Sequence, residues 1–309
     1  MMSHQAYQEH WSLRDFAKNA PPPGWEEVFA LAEDALFEVN KHVNRCSRIF
    51  PLRRNIFRAF DYARPEEIKV VILGQDPYPT MLPDKSGPVA QGLAFSTPPG
   101  VPIAASLKNI FAQLNEEYKG AQVPFQPPHC GDLTGWAKQG VLLLNCSLTL
   151  DPDLPKGSKE QHVELKFWHC FVVLILKYLR QVNPQLVFLL WGLKAQAVYN
   201  LCKFRDSEYV LMSSHPSDMA KGAREPFMGN GHFRKCNKLL AKSNRGWINW
   251  RLDSLDGETG PEDDFDPLLE TPERDMRRFM VFFQARQFIA DDVPPKTNLD
   301  PEGLKTTSP

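Results

Sequence analysis

Apolar residues gather in four short runs: Ile68 to Leu73, Val141 to Leu144, Leu186 to Leu190 and Tyr209 to Met212. Each run is short for a core helix and rich in Val, Ile and Leu, which predicts strands buried on both faces, as in a parallel sheet. Between the runs the spacing changes to that of a helix. Val163, Phe167, Phe171, Leu174 and Tyr178 are predicted to share one helix face, and Leu107, Ile110, Phe111 and Leu114 form a shorter stripe. A further stripe through Phe29, Ala32 and Leu36 predicts a helix over Trp25 to Val39, ahead of the sheet. Strands alternating with helices predict a layered α/β domain with right-handed crossovers.

The residues just past each run decide where the chemistry lies. The first run leads into Gly74-Gln75-Asp76-Pro77-Tyr78, the second into Asn145, the third into Trp191-Gly192 and the fourth into Ser213-Ser214-His215-Pro216-Ser217. Open α/β sheets bind ligands outside the carboxyl ends of their strands. A carboxylate, an amide and an imidazole are therefore expected at one edge, although Asp76 and His215 are far apart in sequence. Singly, an Asp after a strand is more often a helix cap, and a His a satisfied buried side chain. Their co-occurrence at three strand ends is what points to a site.

Charge divides the chain in two. From Leu252 onward it carries 14 Asp and Glu against 6 Lys and Arg, a net of −8; the preceding residues carry 23 and 30, a net of +7. A basic body suits a polyanion, because Lys and Arg that neutralise phosphates release condensed counterions. Asp253 to Asp266 reads as an acidic linker, and Pro272 to Ile289 as an amphipathic helix, with disorder expected from Asp291. The six cysteines lie far apart without a CxxC pair, so reduced thiols are expected rather than a disulfide framework, a zinc site or an iron–sulfur cluster. No run of about 18 apolar residues could span a bilayer, and Met1 to Gln5 lacks the pattern of a secretory signal. The expectation is an intracellular protein that meets no membrane.

Six blocks carry a family resemblance: Gly74-Gln75-Asp76-Pro77-Tyr78, Gly92-Leu93-Ala94-Phe95-Ser96, Ser106-Leu107-Lys108-Asn109-Ile110, Gly131 to Ala137, Leu142-Leu143-Leu144-Asn145 and His215-Pro216-Ser217. In this order they resemble the motifs of family 1 uracil-DNA glycosylases. The resemblance implies a three-layer α/β/α domain over residues 25–252 with a central four-stranded parallel sheet. Residues 1–24 would be a partly disordered N-terminal segment and 253–309 the acidic extension. It also implies roles. Asp76 would stabilise a developing sugar cation and orient water, while neutral His215 would donate to uracil O2, helped by the main-chain N–H of Gln75. Asn145 would read uracil O4 and N3–H, Tyr78 would exclude a methyl at C5, and Phe95 would stack on the flipped base. Ser106 and Ser217 would hold phosphates, and Met219 would fill the hole left by the base, where the family usually has leucine. Leu193 stands where the family often has a phosphate-binding serine.

The implied activity is hydrolysis of uracil from single- and double-stranded DNA by a monomer that uses no metal or cofactor. The alternative is a DNA-polymerase accessory factor on the same fold with weak or no glycosylase activity. An iron–sulfur uracil glycosylase is disfavoured by the cysteine spacing, and a thymine-releasing enzyme by Tyr78. The acidic extension could dock a protein partner, shield the basic face or extend the core. The compartment would be nuclear in a eukaryote or nuclear virus and cytoplasmic otherwise.

Overall fold

The computed structural model describes residues 12–121, 124–155, 158–205, 208–217 and 225–252, with residues 159–164 described as backbone only. The acidic extension, its expected helix and Met219 lie outside the described residues. Four strands form the sheet: β1 (Val70–Gly74), β2 (Val141–Asn145), β3 (Val187–Trp191) and β4 (Val210–Ser213). All neighbours are parallel, in the order β2-β1-β3-β4. Every residue of β1, β2 and β3 is buried, which explains their unbroken apolar character, whereas β4 is partly exposed. Each strand begins at or within two residues of its apolar run and ends one residue beyond it, because the ladder continues through Gly74, Asn145, Trp191 and Ser213.

The α-helices among the described residues are α1 (Leu13–Asn19), α2 (Glu26–Leu31), α3 (Glu33–Val43), α4 (Ala105–Glu117), α5 (Thr134–Ala137), α6 (Lys159–Val182), α7 (Leu193–Leu201) and α8 (His232–Lys242). Helix α1 lies ahead of Trp25, in the segment expected to be partly disordered. Its Ser12 cap accepts from Asp15 N–H, Leu13 and Ala17 are buried, and Leu13 N–H donates to Asn40. The predicted helix over Trp25 to Val39 is two helices that meet at Ala32, yet Phe29, Ala32 and Leu36 are all buried as expected.

The layering follows from the pleat. Phe188 and Trp191 are three residues apart in β3 and so point to opposite faces. Trp191 meets Phe227 and Phe233 at ring-centroid distances of 5.2 and 5.7 Å, and the cluster runs on through Trp136 to Phe111, uniting α8, α5 and α4. Phe188 meets Tyr199 of α7 at 5.0 Å and the Arg180 guanidinium of α6. Beyond α6, Phe171 packs on Phe29, Phe57 and Phe60, which seats α2 and the chain before β1. Truncating one such ring costs about 3–5 kcal/mol.

The buried face of α6 matches the predicted one in part. It runs through Trp168, Phe171, Val172, Ile175, Leu176, Tyr178 and Leu179, so Phe171 and Tyr178 are buried as expected, while Phe167 and Leu174 are only half-buried. Residues 167–176 are apolar at nearly every position, so helical spacing alone selects no face.

The connections explain where a ligand can enter. The β1-to-β2 connection steps one way across the sheet and passes through α4 and α5 on one face. The β2-to-β3 and β3-to-β4 connections step the other way and place α6 and α7 on the opposite face. Opposite steps on opposite faces are what a single crossover hand requires. Adjacent β1 and β3 thus send their chains to opposite sides, which opens a crevice at their carboxyl ends.

A buried imidazole ties the sheet to α8. Trp191 Nε1–H donates to His232 Nδ1 at 3.1 Å, so that nitrogen must carry a lone pair. Burial, followed by the nearby Lys235 charge, lowers the His232 pKa to about 3. The folded state therefore binds one proton fewer than the unfolded chain between the ordinary histidine value of 6.5 and about 3. Stability from this group is present above pH 6.5 and is lost as pH falls through that window. Chemical denaturation of His232→Gln at pH 7, 6, 5 and 4 is expected to show a flatter acid-side slope than wild type, by up to about 1.4 kcal/mol per pH unit. Parallel slopes would contradict this origin of acid lability.

Candidate active site

The carboxyl ends of the strands are joined by more than the sheet ladder. Gly74 and Asn145 are register partners at the ends of β1 and β2. The ladder continues past them, with Cys146 N–H donating to Gly74 O (2.9 Å) and Ser147 N–H to Gln75 O (3.1 Å). The Asn145 amide folds over the end of β1 so closely that a Cβ on Gly74 would lie 2.3 Å from Asn145 Oδ1 and 2.9 Å from Ala94 Cβ. Only glycine leaves room for that amide. Gly192, at the end of β3, plays the same part for the imidazole, since its Cβ would lie 2.9 Å from His215 Cβ.

Phe95 is held in an unusual backbone conformation, with φ +64°, where a bulky L-residue is strained. Its neighbours over-determine it. Ala94 N–H donates to Leu143 O, Thr97 N–H to Gly131 O, and Tyr78 Oη donates to Phe95 O at 2.9 Å. Burial raises the Tyr78 pKa, so its hydroxyl remains a donor at neutral pH. The Phe95 ring then faces Trp191 at 5.8 Å and the His215 ring at 5.9 Å. The Gly131 to Ala137 block serves this loop from outside the cleft. A Cβ on Gly131 would strike Thr97 Oγ1 at 2.1 Å, and Leu133 N–H donates to Ser96 Oγ.

His215 sits on a short turn. Ser217 N–H donates to His215 Nδ1 at 3.1 Å, and Ser217 Oγ lies 2.6 Å from the same atom. A main-chain N–H can only donate, so Nδ1 is an acceptor and the neutral ring carries its proton on Nε2. Gln75 Nε2 donates to Asp76 Oδ2 at 3.2 Å. The Asp76 carboxylate also acts on the Cys146 thiol beneath it, whose pKa burial first, and this charge second, push up to about 12.

Gln75, Asp76, Tyr78 and Phe95 line one cavity of about 160 Å³, together with Ser106, Asn145 and His215. Drug-sized ligands occupy roughly 300–1,000 Å³, so this space suits a single small heterocycle. Ser217 lies outside the lining, exposed and bonded to His215. Met219 lies outside the described residues. Leu193, the first residue of α7, is 82% exposed.

Gly74, Gly192 and Asn109 are site residues to which the motifs alone give no role. The signal for the glycines was present, because each lies within two residues of the end of an apolar run, where a missing side chain marks a close approach. Asn109 donates through Nδ2 to Pro216 O at 2.6 Å. Among the described residues, one group of three possible metal donors, His42, Cys46 and Asp151, has ligand atoms within 4.8 Å of one another. None of the three lines the cavity, and Cys46 Sγ donates to His42 O. All six cysteines are free thiols. No helix among the described residues is long and apolar enough to cross a membrane.

Comparison with known proteins shows the family. Residues 60–241 match the family described as the uracil DNA glycosylase superfamily. A uracil-DNA glycosylase of Proteus mirabilis is 39% identical over 244 residues, covering 76% of this chain and 99% of its own. One from Coxiella burnetii is 41% identical over 235 residues, covering 74% and 92%. A crystal structure of mimivirus uracil-DNA glycosylase aligns with a TM-score of 0.62 at 27% identity, covering 81% of this chain and 92% of that one. With one cleft gathering the strand-end residues and a family match across most of the sheet domain, the chain belongs to the uracil-DNA glycosylase superfamily.

Proposed function

We propose that the protein is a family 1 uracil-DNA glycosylase, which takes uracil out of the DNA stack and hydrolyses its N-glycosidic bond to leave an abasic site. The observation that carries this reading is the convergence of Asp76, Asn145 and His215 on one base-sized cavity walled by Tyr78 and Phe95.

The chemistry follows from the groups present. The bond from C1′ to N1 breaks with its electron pair on the base, so positive charge grows on the sugar and negative charge on uracil, largely at O2. Asp76 stabilises the first charge and orients the water whose oxygen bonds to C1′, and the proton which that water gives up neutralises the departing uracil anion. His215 meets the second with its Nε2–H, the tautomer that the Ser217 N–H favours by occupying Nδ1. Donors set in advance at a site of developing charge need no reorganisation as the bond breaks. The Gln75 main-chain N–H adds to the same oxygen.

Selection uses shape and pairing. The Asn145 amide offers one acceptor and one donor, which match N3–H and O4 of uracil. Cytosine presents the opposite pattern and leaves buried groups unpaired at about 1–3 kcal/mol each. Tyr78, pinned through its hydroxyl to Phe95 O, fills the space beside C5 and rejects the methyl of thymine. Phe95 supplies the stacking face. Ser106 and Ser217 hold phosphates on either side of the flipped nucleotide, and Met219 occupies the vacated stack. A monomer suffices, because every group invoked belongs to one chain, and the substrate is uracil in single- or double-stranded DNA.

Uracil release from a single-stranded oligonucleotide, without added metal, is expected for wild type and to fall about 100-fold or more in Asp76→Asn. Protein that binds the DNA and leaves its uracil in place would instead favour an accessory role in replication. Tyr78→Ala is expected to release thymine where wild type releases none. A variant that still ignores thymine in the same assay would remove Tyr78 from the specificity account.

A further inference from the structure

Helix α4 carries a polar stripe on an otherwise apolar face. Asn109, Gln113 and Glu117 are four residues apart and so stand one above another along the helix. Gln113 is 1% exposed and sits among Leu107, Ile110, Phe111 and Leu114, where an unbonded amide would be costly. It is hydrogen-bonded at both ends. Gln113 Oε1 accepts from Gly229 N–H at 2.6 Å, and Nε2 donates to Glu117 Oε1 at 2.8 Å. The Glu117 carboxylate in turn accepts from the Arg234 N–H at 2.8 Å and the Phe233 N–H at 3.4 Å, in the first turn of α8. At the other end of the stripe, Asn109 Nδ2 donates to Pro216 O at 2.6 Å.

Asn109 and Gln113 thus grip the chain between β4 and α8 and Glu117 grips the start of α8, and each grip crosses more than a hundred residues of sequence. Pro216 is buried and, as a proline, has its carbonyl as its only main-chain polar group. Asn109 satisfies that carbonyl in the residue directly after His215. The two stems of this segment are also tied to each other, through Ser214 N–H to Glu225 O at 2.7 Å and Phe227 N–H to Ser214 Oγ at 3.0 Å. The same helix carries Ser106 into the cavity one turn before Asn109.

We infer that Asn109 is a positioning residue for the reaction: by holding the Pro216 carbonyl from α4, it sets His215 in the cleft, and Gln113 and Glu117 keep α4 in register with the chain leading into α8. This rests on the role given to His215 above. A displacement of about 1 Å in such a group can cost on the order of 100-fold in rate.

The test is a double-mutant cycle on the full chain with Asn109→Asp, which keeps the side-chain shape and removes the donor, and His215→Ala. Single-turnover excision is expected to fall about 10- to 100-fold in Asn109→Asp, with KM for DNA changed less than about threefold. In the His215→Ala background the same substitution is expected to have no further effect, because the residue it serves is gone. Equal losses in both backgrounds would overturn the inference and make Asn109 a general packing residue. Asn109→Ala, which removes the donor without adding charge, gives a second cycle with the same expected pattern if the aspartate unfolds the chain. Should wild type release no uracil, the ring 15N shifts of His215 still decide the matter. They are expected to move in the Asn109 variant, and unchanged shifts would overturn the inference independently of the activity.

Discussion

The parallel register of four strands is the constraint on which the rest depends. Gly74 lies opposite Asn145, and Trp191 opposite Ser213, so four chain segments leave the sheet at one edge. A slip of one residue in such a ladder would turn every side chain to the other face. It would also bury the Asn145 amide in β1, because the space that amide occupies exists only where β1 ends in glycine. The reversal of connection direction between β1 and β3 then leaves the edge open between these segments. Cleft, polar groups and missing Cβ atoms are consequences of one alignment.

Around that edge the fold accepts features that a purely stable core would avoid. Asn145, Ser147, Thr149 and Ser213 are buried polar residues at or just beyond the strand ends, Ser96 and the unbonded Thr97 hydroxyl are buried beside Phe95, and Phe95 is strained in the left-handed region. Buried polar groups are costly when partly satisfied and rigid when fully bonded. Here Ser147 Oγ donates to Thr149 O, Trp168 Nε1 donates to Thr149 Oγ1, and Ser96 bridges to Leu133. The aromatic clusters on both sides of the sheet supply the apolar burial that offsets these costs. Rigidity is thereby concentrated around the cavity at the strand ends.

The sheet was legible in the sequence because strands buried on both faces leave continuous apolar runs, and their ends were visible because Gly, Asp, Asn and His come directly after. The family resemblance gave roles to seven of the residues that line the cavity, from Gln75 to His215. Features set by tertiary contact were not legible. The face of α6 was ambiguous across residues 167–176, and the break at Ala32 carries neither glycine nor proline to announce it. Asn109 and Gln113 look like ordinary solvent-facing positions on a helix until the segment after β4 is laid against them. Their partners are a proline carbonyl and a glycine N–H, backbone groups that no residue type signals.

The central claim is that Asn145 and His215, from β2 and from beyond β4, act on one base. Titrating free uracil into the isotope-labelled protein tests it most directly, by following the Asn145 side-chain amide and the His215 ring nitrogens in the same NMR samples. The account predicts that both sets of signals move together with one midpoint, and that thymine at the same concentrations moves neither. Uracil that shifted one residue and left the other untouched would contradict it.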